Sequence, residues 1–268
     1  MRLTVHTMVK NEDQWVWFSL QSVLPFVDKV LVYDTGSTDK TVQVIKSIDS
    51  PKIFFEERGI QDREGLIRLR NEQIDKTTTE WFLILDGDEI WPENQLDKLM
   101  KSTQKAPANI MAFCNRTRNC VGDIYHYLPE QAGGYQLAGI TGNLTLRLFR
   151  KTKDLKITGK YPLEEFTNSA GPINKQDKNI QFVDCWYLHT TYLKRSSNDK
   201  NKTSGSLGKS KIWELGTTIR AQEIPEALSL DLPQNVEDPL KRRGAFYEVL
   251  ARVTTPVLDL KRKLKNAR

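Results

Sequence analysis

Asp86 and Asp88 stand one residue apart across Gly87, and Glu89 follows directly. Carboxylates that close resist ionising together unless a cation holds them. Oxygen ligands suit Mg²⁺ or Mn²⁺, commonly with a bound phosphate completing the shell. The pattern reads as a metal–diphosphate site, with an acidic loop capping the next helix as the plainer alternative. Asp34 precedes Thr35-Gly36-Ser37-Thr38-Asp39, where it is placed to accept hydrogen bonds from a nucleotide base. A capped turn accounts for Gly36 to Asp39 without it. Arg70, beside Asn71, can face a diphosphate or merely solvent, and Arg63 and Arg68 are weaker versions of the same idea. Glu164 and Glu165 are adjacent, and such a pair can raise one pKa to make a general base or simply decorate a surface. His189 closes an apolar run from Phe182, as a metal ligand through neutral imidazole or as a core histidine. His6 and His126 read as structural.

The elements that must position these residues follow from periodicity. Trp81 to Leu85 is continuously apolar and ends on the acidic loop, as suits a strand buried on both faces. Strands are expected over 3–9, 29–33 and 53–55, with helices over 13–24, from Asp39, over 66–74, and from Pro92 as first helical residue. Strands alternating with helices mean right-handed βαβ units and a mainly parallel sheet. Ligands then bind beyond the carboxyl ends of the strands. Lys10-Asn11-Glu12, Asp34 to Asp39 and Asp86 to Glu89 would share that crevice. After residue 106 the runs at 110–113, 124–127, 144–149 and 180–187 predict a more antiparallel half. Residues 196–211 hold one apolar residue, Leu207, and are expected to be mobile, suited to closing over a bound donor. The chain is expected to be helical from Trp213, broken near Pro225.

With 268 residues, 38% hydrophobic and 28% charged, the chain has the composition of a soluble globular protein. It has no run of the roughly 18–20 apolar residues that spans a bilayer, and no signal-peptide pattern. Three cysteines without a C-x-x-C pair fit reduced thiols and a cytoplasmic location. Residues 240–268 carry nine Lys and Arg against Glu248 and Asp259, while the whole chain is only +6. Basicity confined to the tail argues against a nucleic-acid-binding core. The tail itself reads as a basic amphipathic helix, either lying on an anionic membrane surface or packing on the domain.

Val9-Lys10-Asn11-Glu12, the VYDTGSTDKT segment at 32–41, Arg70-Asn71 and ILDGDE at 84–89 resemble the family 2 glycosyltransferases with the GT-A fold. The likeness is to the branch with a D-T-G-S-T-D loop and a D-x-D-E motif, and Leu146 to Arg150 is similar to that branch's R-L-F-R strand. The resemblance covers roughly residues 1–100 and thins after 150. It implies a Rossmann-like mixed α/β sheet flanked by helices. Residues 1–106 would form a nucleotide-sugar half, 107–215 an acceptor half, and 216–268 a helical basic extension. It further implies nucleotide-sugar contacts from Thr7, Val9, Asn11, Glu12, Asp34, Arg70, Asn71, Asp86 and Gly87. Asp86, Asp88 and His189 would hold Mn²⁺ or Mg²⁺, with Asp88 the direct ligand. The base would be Glu164 or Glu165, with Glu164 preferred, although the branch's G-x-x-H-E arrangement is incomplete here because no histidine precedes the pair.

The expected activity is inverting transfer from a nucleotide-diphosphate sugar, a UDP-sugar favoured over a GDP-sugar, to a hydroxyl of a glycan, lipid-linked or protein acceptor. Cell-envelope glycan or glycolipid synthesis, peripheral to the inner face of the cytoplasmic membrane, is the expected setting. The alternatives are a nucleotide-sugar-forming nucleotidyltransferase, disfavoured by the absence of glycine in VKNEDQW after the first strand, and a catalytically silent nucleotide-sugar-binding module.

Overall fold

A computed structural model describes residues 3–198 and 213–266. Its first half is built from β1 (Leu3–Val9), α1 (Val16–Val23), β2 (Lys29–Asp34), α2 (Thr41–Lys46), β3 (Ile53–Glu57), α3 (Arg63–Asp75) and β4 (Trp81–Ile84). β1 lies between β4 and β2, and β3 joins the far side of β2, all in parallel. The period-2 rule is visible in β4. Trp81 and Leu83 enter one apolar cluster with α1, while Phe82 and Ile84 enter a second on the opposite face with Ile74 of α3. A strand apolar at every position is therefore required by two cores, not one.

β5 (Glu89–Ile90) and α4 (Glu93–Thr103) follow the acidic loop. Pro92 is the extended residue just before α4 (φ −64°, ψ 139°), one position earlier than its sequence predicts. The second half comprises β6 (Ala112–Val121), β7 (Asp123–Tyr127), the hairpin β8 (Tyr135–Leu137) and β9 (Ile140–Gly142), and β10 (Leu144–Arg150). A small sheet of β11 (Lys156–Thr158), β12 (Glu165–Asn168) and β13 (Gly171–Pro172) comes next, then β14 (Ile180–His189). β10 runs antiparallel between β4 and β6 and thereby joins the two halves into one mixed sheet. β14 lies parallel to β6, and its last two residues pair antiparallel with β5. That pairing brings His189 opposite Glu89.

Two further sequence expectations are corrected. The stretch from Trp213 is not helical: β15 (Thr217–Thr218) pairs with β7, and short 3₁₀ turns occupy Ala221–Glu223 and Glu226–Ser229. Pro225, Pro233 and Pro239 each deny the backbone donor a continuous helix needs. The α-helix begins only at α5 (Ala245–Asn266). Within 196–211, Ser196 to Asn198 are pinned by hydrogen bonds to Asp39, Asp13 and Thr38. Residues 199–212, the remainder of the expected closing segment, lie outside the described residues. Cys114, Cys120 and Cys185 are buried and free.

Candidate active site

The carboxyl ends of β1, β2 and β4 do meet at one edge of the sheet. Asp34 ends β2, and its Oδ2 accepts hydrogen bonds from the backbone N–H groups of Gly36 and Ser37, both at 3.0 Å. Gly36 makes that turn at φ +90°, a conformation costly for other residues. The second oxygen, Asp34 Oδ1, is buried with no hydrogen-bond partner. Turn chemistry thus uses one carboxylate oxygen and leaves the other without a hydrogen bond.

The β1–α1 loop is fixed against the same turn. Asn11 adopts a positive φ of 58°, accepts from the Thr38 backbone at 2.8 Å, and donates its own N–H to Ser37. Val9 accepts from both the backbone N–H and hydroxyl of Thr35. Thr7 is buried, its Oγ1 unpartnered. Glu12, 2% exposed, is gripped by the guanidinium of Arg195, which also lies 3.5 Å from Asp88 Oδ2.

The acidic loop divides its residues. Gly87 is pressed so closely on this wall that a Cβ would lie 3.0 Å from both Val9 Cγ1 and Glu12 Cγ. Asp86 turns to the arginines, with Arg147 Nη2 donating to its Oδ2 at 2.9 Å and Arg70 Nη2 3.7 Å from Oδ1. Burial works against its charge, but the two guanidiniums prevail and hold its pKa below the usual value. Asp88 turns the other way, 1% exposed, with His189 Nε2 3.3 Å from its Oδ2. His189 Nδ1 contacts Asn119 Oδ1 at 3.1 Å. Burial disfavours a charged imidazole, yet the Asp88 and Glu89 carboxylates raise the pKa of His189 above its ordinary value. Glu89 is fully buried and paired with Arg147; desolvation lifts it to about 7 against the opposing pull of that arginine.

Glu164 and Glu165 are separated in role. Glu164 faces inward, its Oε1 3.5 Å from Arg70 Nε, and its Oε2 is buried without a hydrogen bond, as is Arg70 Nε. Glu165 sits on β12 with Asn174 and Lys175, away from Arg70. Asn71, though next to Arg70, is spent on structure: its side-chain amide exchanges hydrogen bonds with the backbone of Ile157 at 2.9 and 2.8 Å. Arg68 is a surface group near Asp62, and Arg63 is exposed at the start of α3. His6 pairs with Thr77 and His126 with Asp123, both structural as read.

Arg147 and Arg195 are the residues the sequence reading missed as site members. Arg147 lies in the R-L-F-R strand, whose match to the family was the available signal. Arg195, 183 residues from Glu12, had none.

Among the described residues no three His, Cys, Asp or Glu side chains form a group able to hold a metal by themselves. A divalent cation nevertheless fits a two-residue grip. Asp88 Oδ2 is buried without a hydrogen-bond partner beside the His189 imidazole, and cations that act on phosphates commonly take one or two protein ligands and complete their shell with phosphate and water.

Residues 4–171 match the model of the family described as glycosyl transferase family 2. Over 205 residues the chain is 27% identical to the SPbeta prophage-derived glycosyltransferase SunS of Bacillus subtilis (strain 168), and equally to glycosyltransferase SunS of Bacillus phage SPbeta. These alignments cover 75% of this chain, which spans only 42% of the relatives' length. Among solved structures, S. aureus TarS 1-349 in complex with UDP-GlcNAc superposes with a TM-score of 0.53 at 14% identity, covering 77% of this chain and 62% of that one. The mixed sheet flanked by helices is thus the GT-A arrangement, and a family match over more than half its length identifies the chain as a member of glycosyl transferase family 2.

Proposed function

We propose that this chain transfers a sugar from a nucleoside-diphosphate donor to an acceptor hydroxyl with inversion, Glu164 serving as base. The observation that carries this reading is Arg70, suspended between Asp86 and Glu164, with its Nε and Glu164 Oε2 both buried and without a hydrogen bond. Buried polar groups of that kind are costly unless a ligand completes them. The free oxygen of Asp34 accepts a hydrogen bond from the base, with the Thr7–Val9 backbone, Asn11 and Glu12 forming its wall. The TarS structure was solved with UDP-GlcNAc, and the shared fold supports a UDP-sugar ahead of a GDP-sugar.

Arg70 and Arg147 orient the diphosphate and offset its charge as the glycosidic bond breaks. Asp88 and His189 would hold Mn²⁺ or Mg²⁺, which when bound would supply further positive charge to the departing diphosphate. Asp86 serves the ribose and would support the cation only indirectly, since its carboxylate is already turned to arginines. Glu164 removes the proton of the attacking hydroxyl, on the opposite face of the sugar from the diphosphate.

The test combines binding and turnover. UDP with Mn²⁺ is expected to raise the unfolding temperature of the wild type and of Glu164→Gln, but not of Asp88→Asn. Release of UDP from a UDP-sugar is expected to fall about 10²–10⁴-fold in Glu164→Gln, the usual scale for losing a general base. Metal-dependent UDP binding that survives Asp88→Asn would sink the metal assignment; full turnover in Glu164→Gln would sink the base.

A further inference from the structure

The azimuth of α5 is set by its inner face. Arg262 grips the buried Glu214 carboxylate with both Nη atoms at 2.6 and 2.7 Å, Thr255 Oγ1 accepts from the Leu215 backbone at 2.9 Å, and Ala251 is fully buried. The opposite face is therefore defined as well. It carries Phe246, Val249, Val253, Val257, Leu260 and Leu264, each 54–72% exposed. Their spacing of three or four residues forms one stripe along a helix of 22 residues, about 33 Å long. A contiguous apolar stripe of this length on a water-facing surface marks an interaction site.

At about 100° per residue, exposed Arg252 and Lys263 border one edge of the stripe and Lys261 the other. The acids nearby are already engaged, Glu248 with Arg243 at 2.7 Å and Asp259 with Arg262 at 3.2 Å. Among the described residues no carboxylate pairs with Arg252, Lys261 or Lys263. Pairing this face with itself sets cation against cation in either orientation: antiparallel helices place each edge beside its own copy, and parallel helices place Arg252 and Lys263 beside Lys261. A bilayer bearing anionic headgroups supplies both a surface for the stripe and the opposite charge for its borders. No described helix is long and apolar enough to cross a membrane, so contact of this kind is in the plane of the surface.

We infer that the outer face of α5 docks the protein flat on an anionic lipid surface, while its inner face holds the helix to the domain. The two sequence-level alternatives for the tail, membrane contact and packing, thus belong to opposite faces of one helix. This inference concerns a binding surface and stands or falls separately from the glycosyl-transfer reading.

The test is co-flotation of the full chain with vesicles of phosphatidylcholine alone or mixed with phosphatidylglycerol at low salt, read beside its mass in solution. Three basic residues at the surface predict a preference of about 100-fold for the anionic vesicles. Val253→Glu with Leu260→Glu is expected to lose binding to both; Arg252→Gln with Lys261→Gln and Lys263→Gln is expected to lose the preference. Both sets alter exposed side chains only, so an unchanged unfolding temperature shows that the fold is intact. Equal recovery on both vesicle types overturns the inference. So does a wild-type dimer that the glutamates dissociate without any vesicle binding, which would assign the stripe to a second copy.

Discussion

Arg147 is the residue on which the acidic loop depends. It pairs with Glu89, which is fully buried, and with Asp86, while its Nε donates to the Tyr187 hydroxyl at 3.2 Å. Removing one partner of a buried ion pair leaves the other charged and dry, at a cost of about 3–5 kcal/mol. Arg147→Met is therefore expected to destabilise the protein by that amount in chemical denaturation, and adding Glu89→Gln to recover part of it. A cost below about 1 kcal/mol would show the pair to be effectively solvated. That Asp34, Asp86 and Asp88 meet at one edge of the sheet was legible because they end or follow the apolar strands β2 and β4, a local pattern. Arg147 and Arg195 were not, because their partners lie 58–61 and 183 residues away and no local periodicity reports such contacts.

At the scale of elements, β1, β2 and β4 announced themselves through short apolar runs ended by turn residues, and their order of use in the crevice followed from βαβ geometry. The region after Trp213 misled because apolar spacing suggested a helix while its prolines forbade one. Asn71 misled differently. Its place beside Arg70 suggested a ligand, but its amide ties α3 to β11, the strand that leads into the Glu164 turn. Asn71→Ala is expected to cost about 1–3 kcal/mol of stability through two lost partners. Because the effect passes through Glu164, kcat should fall while the affinity for UDP and Mn²⁺ holds. A selective loss of UDP affinity would instead restore Asn71 as a direct ligand.

For the whole molecule, one contribution to the pH dependence of stability comes from a residue outside the site. His6 is 1% exposed, stacked on Phe82 at 4.4 Å, and held by Thr77 at 2.5 Å. Burial, aided by Arg70 and Lys151, lowers its pKa from 6.5 to about 3. The folded protein keeps this imidazole neutral while the unfolded chain protonates it below 6.5, so unfolding takes up a proton in that window. Stability from His6 is fully present above pH 6.5 and is lost as pH falls toward 3, amounting to about 2 kcal/mol by pH 5. His6→Gln should therefore be more stable at pH 5, relative to its own stability at pH 7.5, than the wild type is; an unchanged pH dependence of the denaturation midpoint would remove His6 from the acid response.

The placement of β10 between β4 and β6 has a temporal meaning. When a ribosome has released the chain only as far as residue 110, the loops at the carboxyl ends of β1, β2 and β4 are made, yet β4 is a bare hydrophobic margin whose neighbour, residues 144–150, has not arrived. The nascent chain thus carries an open strand edge, a natural client for a chaperone, until residues 144–150 emerge to cover it.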